Sequence, residues 1–75
     1  MKYTVIVKPK KAILDPQGKA IKKVAENYLN KEIKNIRVGK YFEIETETDD
    51  KDMIEKLAKN ILSNDVIEDY EVKES

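Results

Sequence analysis

Asp15-Pro16-Gln17-Gly18-Lys19 is the stretch of this sequence whose residue types and spacing most need a chemical reason. Asp15 can cap a helix, its carboxylate accepting a hydrogen bond from a free first-turn amide. Pro16 suits the first helical position, where its missing N–H costs nothing and its φ is already helical. Capping requires neither Gln17 nor Gly18. A glycine within a helix is about 1 kcal/mol less favourable than alanine, so Gly18 in the first turn points to something packed close to the backbone. The plainer reading is an ordinary helix start with one tolerated glycine. Free amides at a helix N-terminus also attract anions, and Lys8, Lys10, Lys11 and Lys19 lie close by in the chain. Lysines there oppose the helix dipole and hint at an acidic partner group. Asp15 competes for the same amides, and a solvated basic loop is the alternative.

The remaining chemistry is sparse. The 75 residues include no histidine and no cysteine, which removes the usual neutral-pH proton carrier, thiol nucleophiles and thiolate metal sites. Gly18 and Gly39 are the only glycines, too few for a glycine-rich phosphate loop. The pairs Asp49-Asp50 and Glu68-Asp69 could face a hard cation, but capping a helix and solvating a strand end explain them more simply. The expectation is no catalytic residue, no metal and no cofactor bound by this chain. Val38-Gly39-Lys40-Tyr41-Phe42 shares features with sheet-surface RNA readers. However, Tyr41 falls on one strand face with Glu43, Glu45 and Glu47, which repel phosphate. Fifteen basic and fifteen acidic side chains give a net charge of zero, which argues against general attraction to nucleic acid or anionic membrane. No apolar run approaches the ~20 residues of a membrane span. The chain starts on a strand pattern rather than an apolar leader, so the expected location is the cytoplasm.

The elements that position these residues follow from periodicity. Tyr3, Val5 and Val7 alternate with polar neighbours up to Pro9, a strand with one covered face. A connection carrying Lys10 and Lys11 leads to the Asp15-Pro16 start. Ile21, Val24, Ala25, Tyr28 and Leu29 then form one helical stripe, with Asn30 as a left-handed stop. A second strand is expected from Ile33 to Val38 and a two-residue hairpin turn at Gly39-Lys40. A third strand carries Phe42, Ile44 and Thr46. Thr48 to Asp52 start a second helix with the stripe Ile54, Leu57, Ala58, Ile61 and Leu62, ended by Ser63-Asn64. Val66 to Val72 form the last strand, with a bulge expected at Ile67-Glu68-Asp69.

The order is β-α-β-β-α-β within one domain, residues 1–75. Ile21 matches Ile54, Val24 matches Leu57, Ala25 matches Ala58 and Leu29 matches Leu62 at one constant offset. Two β-α-β halves with right-handed crossovers give the α+β, ferredoxin-like arrangement: a four-stranded antiparallel sheet with both helices on one face. The first half is longer between strand one and Asp15, and an enlarged loop at a helix start is where function collects. Ile6, Ile33, Tyr41 and Ile67 lie among charges at strand edges and on the less apolar face. A domain this small has a thin core, so these are the candidate contacts of a homodimer or a dimer of dimers.

Three blocks together carry a resemblance: Ile13-Leu14-Asp15-Pro16-Gln17-Gly18-Lys19-Ala20, Ile36-Arg37-Val38-Gly39-Lys40-Tyr41-Phe42-Glu43, and Leu62-Ser63-Asn64-Asp65-Val66-Ile67-Glu68-Asp69-Tyr70. In order and spacing the chain resembles the PurS family, the small subunit of phosphoribosylformylglycinamidine synthase in purine biosynthesis. The resemblance implies a non-catalytic bridge between a PurQ-type glutaminase, which releases ammonia, and a PurL-type synthetase, which uses ATP and Mg²⁺. It further implies support of ammonia transfer between them. Asp15, Pro16, Gln17, Gly18, Lys19, Arg37, Gly39 and Lys40 become candidate partner contacts. On that reading Gly18→Ala leaves the isolated fold intact and harms only the complex. The rival reading is a free-standing dimeric ferredoxin-like module that binds a small metabolite.

Overall fold

Alternation over Lys2–Pro9 underlies the central strand. In the computed structural model, which describes residues 1–74, β1 (Lys2–Pro9) is flanked by β2 (Lys40–Glu45) and β3 (Glu68–Glu74), both antiparallel to it. The sheet order is β2-β1-β3. Register places Tyr3 opposite Ile44, and Val5 between Phe42 and Val72; Val7 faces Tyr70. All of these share one face. Helix α2 (Lys51–Leu57) runs on into a single π-helical turn, Ala58–Leu62. Ile54 and Ala58 close over Tyr3, Val5 and Val7, with Phe42, Ile44, Leu62, Tyr70 and Val72 packed around them. Burial of Val5 and of Val7 contributes about 1.5–3 kcal/mol each.

Tyr3 ties this core to the start of α2. Its hydroxyl donates to Asp49 Oδ1 at 2.6 Å, while Asp50 caps α2 by accepting from the Met53 amide at 3.1 Å. The bond to Asp49, aided by burial, pushes the Tyr3 phenol up to about 12. A pKa raised above the unfolded value of about 10 stabilises the fold fully below pH 10, and that contribution disappears as the pH climbs through the folded value. In an ultraviolet titration of the folded protein, one tyrosine of the four is therefore expected to ionise late. Tyr3→Phe should remove that late step and flatten the loss of thermal stability over the same range. Four tyrosines ionising together near the ordinary value would contradict the assignment.

The structure departs from the sequence-based expectation in several places. The sheet of the described residues has three strands, because residues 31–39 form no strand. The Ile33 amide donates to Glu26 Oε2 and the Val38 amide to Asp15 Oδ2, both at 2.8 Å; the return segment is thus tied to the first helix rather than to a ladder. There is no Gly39-Lys40 hairpin: no glycine has positive φ, and Lys40 is already in β2, paired with Val7. The interrupted alternation at Ile67-Glu68-Asp69 is no bulge. Ile67 belongs to a turn in which its amide and that of Glu68 both donate to the Asn64 carbonyl, and the β3 ladder is regular from Glu68. Finally, Ile61 is 73% exposed, because the wider π turn rotates it off the buried stripe.

Helix α1 (Pro16–Leu29) does not share the sheet face with α2. It packs extensively on no other helix or strand, and Gly18 is its only buried residue. With residues 31–39 it forms an arm, and the molecule measures 49 × 24 × 14 Å. The radius of gyration is 15.5 Å, against about 11 Å for a compact chain of this length.

Candidate functional site

One carboxylate fastens the start of α1 to the return segment. Asp15 Oδ1 accepts from the Gly18 amide at 2.9 Å, the cap anticipated from sequence. Its other oxygen accepts from the Val38 amide at 2.8 Å, an amide far along the chain that sequence reasoning did not connect to it. The Gly18 amide, then the Val38 amide, holds the Asp15 carboxyl below its ordinary value, with further help from Arg37. A lowered pKa makes this contribution present above the usual carboxylate range and lost only as the pH falls through the lowered value. The same geometry shows that first-turn amides are already engaged, so the helix start is not an open anion site.

Gly18 has its explanation here. A Cβ at Gly18 would stand 2.2 Å from the Ile36 carbonyl oxygen and 2.8 Å from Asp15 Oδ2. The backbone that packs on the first turn is the chain's own return segment. The expectation that Gly18→Ala spares the isolated fold is thereby overturned. Gly39 is equally constrained, since a Cβ there would lie 2.5 Å from the Val7 carbonyl oxygen. The far end of the arm closes in the same manner. Asn30 is left-handed at φ 54 and donates to the Glu26 carbonyl, which turns the chain back along the helix.

The two glycine-bearing motifs meet in space. Asp15, Pro16 and Gln17 line a surface hollow of about 410 Å³ together with Gly39, Lys40 and Ile67. Lys40 reaches Glu68 at 3.9 Å. Lys19 and Arg37 stand on a neighbouring hollow of about 380 Å³, and the Arg37 guanidinium donates to the Lys10 carbonyl at 2.8 Å. Gly18 lies beneath the Ile36 backbone, outside both. Ile6 and Ile33 are half-buried, Tyr41 and Ile67 exposed, and Ile6 stands directly opposite Tyr41 across the β1–β2 ladder.

Sequence reasoning misplaced one apolar surface. Ile21, Val24 and Tyr28, assigned by periodicity to the core, are 43%, 69% and 87% exposed. Their spacing puts them on one side of α1. The only signal available beforehand was the helix's own strong amphipathicity, which states that the stripe must be covered but not by which chain.

A family model described as PurS, phosphoribosylformylglycinamidine (FGAM) synthase, matches residues 2–75. The phosphoribosylformylglycinamidine synthase subunit PurS of Bacillus subtilis is 37% identical over 72 residues, covering 92% of this chain and 86% of its own length. Among solved structures, Methanocaldococcus jannaschii PurS, described as one of the subunits of formylglycinamide ribonucleotide amidotransferase in the purine biosynthetic pathway, superposes with a TM-score of 0.77. That match is 37% identical and covers 96% of this chain and 92% of the other. A chain of the PurLQS complex from Thermotoga maritima superposes with a TM-score of 0.76 at 30% identity, over 96% and 93% of the two chains. No helix among the described residues is long and apolar enough to cross a membrane.

Proposed function

The chain belongs to the PurS family of FGAM synthase, and from that premise we infer that it acts as a non-catalytic bridge inside the enzyme. It is a subunit of phosphoribosylformylglycinamidine synthase in purine biosynthesis and partners with PurL-type synthetase and PurQ-type glutaminase subunits. The observation that carries the bridging role is the arm. Helix α1 packs extensively on no strand of the sheet, and its apolar stripe is left uncovered within the chain. A helix of fourteen residues is marginal in water without tertiary contacts, so this arm is built to be covered by other chains.

Its assembly is a homodimer or dimer of dimers, in which the stripes of α1 are covered across a symmetric interface. The four-stranded, ferredoxin-like sheet belongs to that assembled state: β2 has an unpaired outer edge, and an extended segment of a second copy laid along it supplies the fourth strand. The hollow between the two glycine-bearing motifs is the contact offered to the larger subunits. ATP and Mg²⁺ are handled by the synthetase, ammonia passes from the glutaminase with this chain's support, and the complex works in the cytoplasm.

Reconstitution tests the reading. With purified synthetase and glutaminase, glutamine-driven FGAM formation is expected to need this chain, whereas ammonia-driven formation by the synthetase is expected to need it far less. The pure chain should neither hydrolyse ATP nor release ammonia from glutamine. An unchanged glutamine-driven rate in its absence would reject the bridging role.

A further inference from the structure

The zero net charge conceals a division of the molecule into a basic part and an acidic part. Residues 10–39, everything between β1 and β2, hold eight lysines and arginines against three acids, a net charge of +5. The rest of the chain holds seven against twelve, a net charge of −5. The arm is therefore strongly cationic, and it is also the part that stands away from the sheet.

The cations are gathered on one side. Lys19, Lys22, Lys34 and Arg37 line the hollow of about 380 Å³ between α1 and the return segment. Arg37 also borders the next hollow, about 610 Å³, with Lys8 and Lys11. The two hollows adjoin at Asn35 and Arg37, and together they make a trough-like surface lined by six cationic side chains. Two carboxylates touch it, Asp15 and Asp69. Both oxygens of Asp15 are already taken by backbone amides. Among the described residues, none of the six cations forms an ion pair; the ion pairs involve Lys2, Lys40 and Lys73. On α1, Lys19 and Lys22 lie about a third to a half turn away from the apolar stripe, so this surface remains open when the stripe is covered.

We propose that this trough is a docking surface for an acidic face of a partner protein in the FGAM synthase complex, distinct from the apolar stripe of α1. The proposal rests on the subunit reading above. Carboxylates spread over a protein surface fit the trough better than a single bound anion, because the cations are strung along two hollows and the first-turn amides that would cradle an anion are occupied by Asp15. A nucleic acid fits less well, since it would meet the acidic remainder of the chain. Charges of this kind steer encounter and select the partner.

Binding of the full-length protein to its synthetase and glutaminase partners should be measured at low and moderately raised salt. Wild type is expected to weaken about tenfold or more with salt, and Lys19→Glu/Lys22→Glu/Lys34→Glu by about a hundredfold at low salt with most of the salt dependence gone. Lys11→Glu/Lys34→Glu, which leaves α1 untouched, should show a smaller loss in the same direction. Homodimer mass and melting temperature should stay at wild-type values. Equal affinity of wild type and both variants would overturn the proposal while leaving the bridge reading standing. So would dissociation of the homodimer by the charge reversals, since the trough would then face a second copy, or tight binding of a DNA or RNA oligonucleotide that the variants lose. Failure of wild type to bind either partner would reject the bridge reading itself, and this proposal with it.

Discussion

Gly18→Ala is expected to lower the melting temperature by roughly 10 °C and to free the Val38 amide for hydrogen exchange. Alanine is ordinarily the better helix former, and on propensity alone the substitution would stabilise. Sterics reverse the sign. The new methyl would sit 2.2 Å from the Ile36 carbonyl oxygen, a backbone atom, and 2.8 Å from an Asp15 carboxylate oxygen. Neither the return segment nor the cap can keep its place. Forcing a methyl into such a space costs about 1–3 kcal/mol and sometimes more. Displacing Asp15 also breaks its bond to Val38, so α1 separates from the return segment. Circular dichroism should show lost helix alongside the lower melt. Gly39→Ala, aimed at the Val7 carbonyl, should behave similarly but loosen the entry to β2. A Gly18→Ala protein with wild-type melting and a protected Val38 amide would mean that the first turn does not pack against the return segment.

Val24→Gln/Tyr28→Gln is expected to turn the assembled protein into an 8.7 kDa monomer at micromolar concentration, with little change in the fold of the single chain. Both side chains are mostly exposed in that chain, and glutamine is a good helix former. The intrachain cost is therefore small. Across an interface the position is different. A buried tyrosine and its apolar neighbour are the kind of pair that dominates association, worth 2 kcal/mol or more for each strong contact, so the dimer should weaken by about a hundredfold to a thousandfold. Light scattering and sedimentation at several concentrations would measure it. A double variant that still sediments as a dimer would place the interface elsewhere, with Ile6, Tyr41 and Ile67 among the exposed or half-exposed apolar residues outside α1.

The contrast between these two substitutions and the trough variants separates three roles within one arm. Gly18 and Asp15 set its shape, Val24 and Tyr28 serve association between copies, and the lysines opposite serve a larger partner. Each role has its own readout: melting and amide protection, mass, and salt-dependent affinity.

Much of this was written locally. Alternation alone placed Tyr3, Val5 and Val7 inside, because a strand's two faces follow directly from residue parity. Asp15 as a cap, Pro16 at the first helical position, Asn30 as a left-handed stop and Asp50 at the head of α2 were equally legible, since capping is decided within three or four residues. The three motif blocks were enough to point to the PurS family. What only the tertiary structure decided is where the first helix goes. Periodicity states that Ile21, Val24 and Tyr28 must be covered; it cannot distinguish the chain's own sheet from another molecule, because burial depends on area and not on which chain supplies it. The same limit applies to Gly18, whose reason is a carbonyl eighteen residues away in the chain, and to Val38, whose amide looked like part of a strand until Asp15 was seen to hold it. Charge followed the same rule. A count of fifteen against fifteen was correct and uninformative, since a field depends on positions, and the fold puts the basic excess on the arm and the acidic excess on the body.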